Sequence, residues 1–203
     1  MPSPTARIRI VLPAVLAGAV LSGCQPARPG VFDAPALLSA KKAIVLPFTD
    51  APGVQGKGSG QVVGGSVLTE LFALGRYEIA NLTPDGLREA LAKTGYAADD
   101  CYDPIVAAAV GRQFNADIVV AGELTHYRTQ QEDSSTAVLI VSGGGTKITQ
   151  WVSMNLRIIR AEDAKTIYAG SGTASSAEGY SPAAQQASNK ALALLKDLFQ
   201  RGR

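Results

Sequence analysis

From Ile148 to Arg160 the chain reads ITQWVSMNLRIIR, and Val152, Met154, Leu156 and Ile158 alternate with Ser153, Asn155 and Arg157. A period of two sends one set of side chains to one face of a strand and the other set to the opposite face. Wound as a helix, the same residues would scatter their apolar groups around the whole circumference. This stretch therefore demands a sheet with one face against a core. "ADIVVAGELTHYR" (Ala116 to Arg128) reads as a central strand before it, "STAVLIV" as a shorter strand, and "TIYAGSGTAS" as a strand after it. Gly143-Gly144-Gly145 and the polar "AEDAKT" supply the turns of a β-meander.

The first half of the chain has a different period. "KAIVLPF" (Lys42 to Phe48) is a continuous apolar run of buried-strand length, and "RYEIAN" (Arg76 to Asn81) is a short second strand. Between them Val63, Val67, Leu71 and Leu74 recur at helical spacing, with Gly75 where a helix stops. Thr83 before Pro84, with Gly95 beyond, brackets a second helix, and Asp103 before Pro104 opens a third. "SPAAQQASNKALALLKDLFQ" closes the chain as a helix expected to be capped by Ser181, with Pro182 after it. The order is βαβααβ, then a β-meander, then a C-terminal helix. That predicts an α/β (α+β) two-layer sandwich on a mixed sheet.

The amino terminus belongs to another compartment problem. Arg7 and Arg9 precede eleven largely apolar residues, Ile10 to Val20, and "LSGC" follows at Leu21 to Cys24. This is an export-signal pattern, and a membrane-spanning helix needs about 20 apolar residues. The stretch resembles the lipobox of bacterial lipoproteins, in which the Cys is acylated (a palmitate-type anchor) and becomes the first mature residue. A thiol is the side chain able to form a thioether to a lipid. The expected division is a signal at 1–23, a lipidated Cys24 and tether at 24–41 carrying Pro26, Pro29 and Pro35, and one periplasmic domain at 42–203. Gln25 after the Cys implies, by the same resemblance, an outer-membrane destination. Cleavage removes Arg7 and Arg9 and leaves 17 basic against 17 acidic residues. A balanced surface offers no electrostatic footprint for nucleic acid.

Reactive groups are sparse. With Cys24 acylated, Cys101 is a lone thiol, and the acids of "ADDCYDP" should raise its pKa. "GVQGKGSGQVVGG" (Gly53 to Gly65) misses the spacing of a phosphate cradle and reads as a surface loop leading into a helix. His126 is the sole histidine and has no partners for a metal site. Glu123 sits in an apolar strand and needs a partner, for which Arg157 or Arg160 is available across the sheet. No catalytic motif is recognised, no cofactor beyond the lipid on Cys24 is expected, and the chain reads as a non-enzyme.

"IVLPF" (Ile44 to Phe48), "GRYEIAN" (Gly75 to Asn81), "ADIVVAGELT" (Ala116 to Thr125) and "LRIIRAEDAKTIYAGSG" (Leu156 to Gly172) together resemble the periplasmic domain of the curli-secretion channel (CsgG-like) family. Similar domains occur in the amino-terminal region of TolB and in lipoprotein activators of penicillin-binding proteins. The resemblance implies an outer-membrane lipoprotein facing the periplasm, forming homo-oligomers and serving secretion or surface assembly with other envelope proteins. The alternative it implies is a regulatory module that recruits a cell-wall synthase. Channel members insert two long hairpins, whereas one compact hairpin fits between Glu123 and Leu156 here. A 17-residue tether also spans at most roughly 60 Å, short for an activator. On that hairpin Val138 and Ile140 face away from Ala137, Leu139 and Val141, and Trp151 lies on the returning strand. Val138, Ile140 and Trp151 are the candidate surface for a partner or the membrane.

Overall fold

The computed structural model describes residues 30–133 and 146–201. In chain order the elements are β1 (Gly30–Val31), α1 (Ala34–Ser39), β2 (Lys42–Val45), α2 (Ser59–Leu74), β3 (Glu78–Ile79), α3 (Pro84–Thr94) and α4 (Pro104–Gln113). They continue with β4 (Ile118–Asp133), β5 (Thr146–Arg160), β6 (Thr166–Ser176), α5 (Tyr180–Ala191) and α6 (Ala193–Arg201). The strands form one mixed sheet in the order β1-β6-β5-β4-β2-β3. β2 lies parallel to both β3 and β4, while β4, β5, β6 and β1 pair antiparallel. The α/β (α+β) class, the mixed sheet and the helical close of the chain are those the patterning predicts.

Each face of the sheet has its own core. Val63, Val67 and Leu71 of α2, with Ala183, Ala187 and Ala191 of α5, cover Ile118, Val120, Val152, Met154, Leu156 and Ile158. The alternation of β5 is thus realised on this face, where those four residues are at most 1% exposed. On the opposite face α3 and α4 cover Ile44, Leu46, Val119, Ala121 and Ile159. Burial of this kind, at roughly 25 cal/mol per Å² of apolar surface, is the main force holding the layers together.

The helix signals are local, and they act locally. Thr83 Oγ1 accepts from Gly86 N–H, Pro84 opens α3, and Gly95 closes it in the left-handed conformation. Asp103 caps α4 through Ile105 N–H at 2.7 Å. The closing helix differs from expectation. Gly179, at φ 132°, precedes its first turn without a side-chain cap, and the helix divides at Leu192 into α5 and α6. Ser181 is therefore helical, not capping. The division is held by Tyr168, whose buried hydroxyl donates to Ala191 O at 2.6 Å. The strand expected over Arg76–Asn81 shrinks to Glu78–Ile79 because its only sheet neighbour, β2, reaches Lys42 and Ala43 there.

The boundary expected at residue 42 also moves. Gly30 and Val31 pair with Ala169 and Tyr168, Asp33 caps α1 through Ala36 N–H, and Leu37 is fully buried. Residues 30–41 are part of the folded body. Pro35 is compatible with this because a proline in the first helical turn loses no hydrogen bond.

Candidate functional site

A cleft of about 860 Å³ opens at the carboxyl ends of β2 and β3, between α2 and the first turn of α3. Val45, Leu46 and Ile79 give it apolar strand walls, Leu68 and Phe72 stand on α2, and Gly64 and Gly65 leave room between them. Phe72 is 59% exposed although it is an aromatic residue on the side of a buried helix. A Cβ added at Gly65 would meet nothing within 4 Å, so the space beside it is open. None of the lining residues carries a charge; Gln61, Asn81 and Thr83 are its polar members.

The wall of this cleft is also an edge of the sheet. Glu78 N–H donates to Lys41 O at 2.7 Å and Ala80 N–H to Ala43 O at 2.8 Å. Alternation along a strand then turns the N–H and C=O of Ile79 away from β2. No described strand lies beyond β3. An open edge beside an apolar trough is the arrangement that receives an extended peptide, with backbone bonds for affinity and pockets for alternate side chains.

The glycine-rich loop forms part of the same end of the molecule and explains itself structurally. Asp50 Oδ2 accepts from Gly58 N–H at 2.8 Å, and Asp50 Oδ1 accepts from Gly60 N–H at 2.7 Å. The amino terminus of α2, where an anion would bind, already holds the chain's own carboxylate. Gly60 is required by close approach, since a Cβ there would lie 1.9 Å from Phe48 O. Ser59 is buried and accepts from Ala51 N–H.

The other sequence candidates are dispersed. Cys24, Val138 and Ile140 lie outside the described residues. Trp151 is half-buried, opposite Arg128 on β4 and Ser175 on β6, on the face that α2 and α5 do not cover. His126 is exposed beside a register shift in β4. Cys101 is buried, and burial first, then Asp100 and Asp99, pushes its thiol up to about 11. Glu123 takes neither arginine expected for it. Asn155, directly across the ladder, donates to its Oε1 at 3.2 Å. Arg157 instead covers the ring of Tyr102 at 4.3 Å, and Arg160 pairs with Asp163 and Asp33.

Two features escaped the sequence reading. Glu70, 8% exposed on α2, receives hydrogen bonds from Asn189 at 3.0 Å, from Gln185, and from Lys196, which joins α2 to α5 and α6. Its partners are more than a hundred residues away, so nothing near it in the chain announces the network. The cleft did leave a trace. Gly64, Gly65, Leu68 and Phe72 form a second stripe on α2, beside the Val63–Val67–Leu71 stripe. A helix with two such stripes has one more apolar side than its own core uses.

Among the described residues no helix is long and apolar enough to cross a membrane, and no group of three or more His, Cys, Asp or Glu could hold a metal ion. No protein-family model matches the chain, and no curated protein sequence does. Among solved structures, a PelC dodecamer from Paraburkholderia phytofirmans aligns over 82% of this chain and 93% of its own, at 14% identity and a TM-score of 0.50. Lipoprotein GNA1162 from Neisseria meningitidis aligns over 80% and 94%, at 18% identity and a TM-score of 0.43. The LpoB C-terminal domain from Escherichia coli aligns over 71% and 95%, at 12% identity and a TM-score of 0.43. At such identities the first of these speaks to the fold.

Proposed function

We propose that this chain is a non-enzymatic envelope lipoprotein, held to the outer membrane by a lipid on Cys24, that works as an oligomer in secretion or surface assembly. One observation carries the reading: β1 starts at Gly30, six residues after the acylation candidate. Six residues span at most about 20 Å. Once Cys24 is acylated, the start of β1 lies within about 20 Å of the lipid attachment point. That short reach weighs against the alternative, a module that contacts a synthase across a distance.

Two further points support the reading. A solved protein of the same fold assembles as a dodecamer. Among the described residues, two places that could support chemistry are disarmed: the α2 amino terminus is filled by Asp50, and the Cys101 thiol is buried with its pKa raised. Pore formation by the described part of the β4–β5 ribbon is a poorer fit. Residues 128–131, RTQQ, put polar groups on both faces, where a lipid-facing strand needs apolar ones at every second position.

The test is fractionation of the wild-type chain and of Cys24→Ser expressed with the native signal. Wild type is expected in the outer-membrane fraction with an acylated first residue by mass spectrometry, and Cys24→Ser in the soluble fraction. Detergent-extracted wild type is expected to size as several copies. An unmodified Cys24 in a soluble wild-type protein would overturn the anchoring, and a monomer in detergent would overturn the oligomer.

A further inference from the structure

We infer that the cleft between α2 and β3 receives residues 136–141 of a second copy, added as a strand along the edge of β3. This rests on the oligomeric reading above and names its contact surface. The cleft asks for an extended, uncharged segment: its wall carries outward backbone groups at Ile79, and its lining contains no charged side chain. A charged occupant would lose its hydration there without an opposite charge to meet. From Cys24 onward, the expected mature chain holds one long uncharged, strand-forming stretch outside the described residues, Ser134 to Gly145, SSTAVLIVSGGG.

That stretch is carried where a neighbour can use it. β5 finds its last β6 partner at Gln150, so from Gln130–Thr149 to Asp133–Thr146 the β4–β5 pair runs on as a two-stranded ribbon. Ile148 on this ribbon is 47% exposed. An isolated two-stranded ribbon is marginal in water and needs something to pack against.

Its own cleft is out of reach. The cleft lies level with Val45, which pairs with Val120, and Asp133 stands thirteen residues further along β4. At about 3.3 Å per residue this is roughly 40 Å. The twelve residues from 134 to 145 must leave Asp133 and return to Thr146, its ladder partner, so their reach is about 20 Å. The occupant therefore belongs to another molecule. A contact between two different surfaces of identical chains propagates, closing into a ring or running on as a filament.

The experiment uses the full chain. Phe72→Cys and Ile140→Cys are combined in one protein and oxidised; Cys101 is buried and stays out of the reaction. The expected result is a ladder of disulfide-linked copies in a denaturing gel, absent from each single variant. Gly65→Leu, which fills open space in the cleft, is expected to remove the ladder and shift the assembly toward monomer at an unchanged or raised melting temperature. A double-cysteine protein that stays unlinked, or links only within one chain, while wild type still sizes as several copies, overturns this inference and leaves the oligomeric reading standing. Unchanged assembly in Gly65→Leu does the same and means another protein fills the cleft. A wild-type monomer overturns both.

Discussion

Replacing Gly172 with Ala should loosen the main core, and the structure sets the scale. Gly172 lies on β6 facing α5, and a Cβ there would stand 1.9 Å from Ala187 O, 2.7 Å from its carbonyl carbon and 3.1 Å from Ala191 N. A carbon and a carbonyl oxygen ordinarily approach no closer than about 3.3 Å, so α5 must retreat by about 1.4 Å. These are backbone atoms of a helix and cannot swing aside as a side chain would. A gap of 0.5–1 Å already forfeits roughly a quarter to a half of the dispersion attraction across an interface, and α5 packs here through Ala183, Ala184, Ala187 and Ala191, all essentially buried. Overpacking of this kind costs about 1–3 kcal/mol, and the upper end applies because strand and helix are both fixed by their ladders. For a domain of this length each kcal/mol moves the melting temperature by roughly 2–4 °C, so a fall of roughly 6–12 °C is expected. Gly65→Ala is the matched control: the same added methyl meets nothing within 4 Å. In a helix interior it is worth up to about 1 kcal/mol, a rise of roughly 2–4 °C. Thermal unfolding of Cys24→Ser and its two glycine variants, followed by far-ultraviolet circular dichroism, reads both. A Gly172→Ala melt that matches its parent, or two shifts of the same sign, would refute the reasoning.

Tyr168→Phe should leave the secondary structure intact and cost about 1–3 kcal/mol, because it orphans the buried Ala191 carbonyl where α5 gives way to α6; denaturant titration checks it. Cys101, its thiol raised to about 11 mainly by burial, should resist a thiol reagent at pH 8 until denaturant is added, when one equivalent reacts. Asp117 accepts from the N–H groups of Lys41 and Lys42 at 2.8 and 2.9 Å, and these bonds lower its pKa below 3.8. Asp163, bonded to Arg160, is likewise held down, at about 2. A depressed folded-state value means that the stabilisation is present above the ordinary aspartate range and is lost as pH falls through the lower one. Melting temperature should therefore decline below about pH 4, and Asp117→Asn should flatten part of that decline; an unchanged pH profile would count against the Asp117 contribution.

Much of the fold was legible because its signals are short-ranged. Alternation at Val152 to Ile158 fixes which face of β5 is buried. Thr83, Pro84 and Gly95 each act on backbone groups within one turn, so three residues suffice to bound α3. Cys101 could be read as inert from Asp99 and Asp100, though burial proved the larger cause. The failures share an opposite character. Residues 25–41 looked like a tether because Pro26, Pro29 and Pro35 dominate their composition, yet Pro35 lies in the first turn of α1, and Leu37 finds a core supplied by distant elements. Glu123 was matched to arginines by charge, whereas the ladder register placed Asn155 directly opposite it.

What the chain's order of residues determined alone is therefore the main strands and helices from β2 to β6, the sidedness of the sheet, and the acylation pattern ending at Cys24. Those depend on spacing within a few residues and need no partner to be expressed. The tertiary structure alone decided that Glu70 would meet Lys196, that Asp50 would occupy the start of α2, and that a second stripe on α2 would be left facing an open strand edge. Each of these joins groups separated along the chain, and only the packing of the layers says which distant surfaces meet and which are left uncovered.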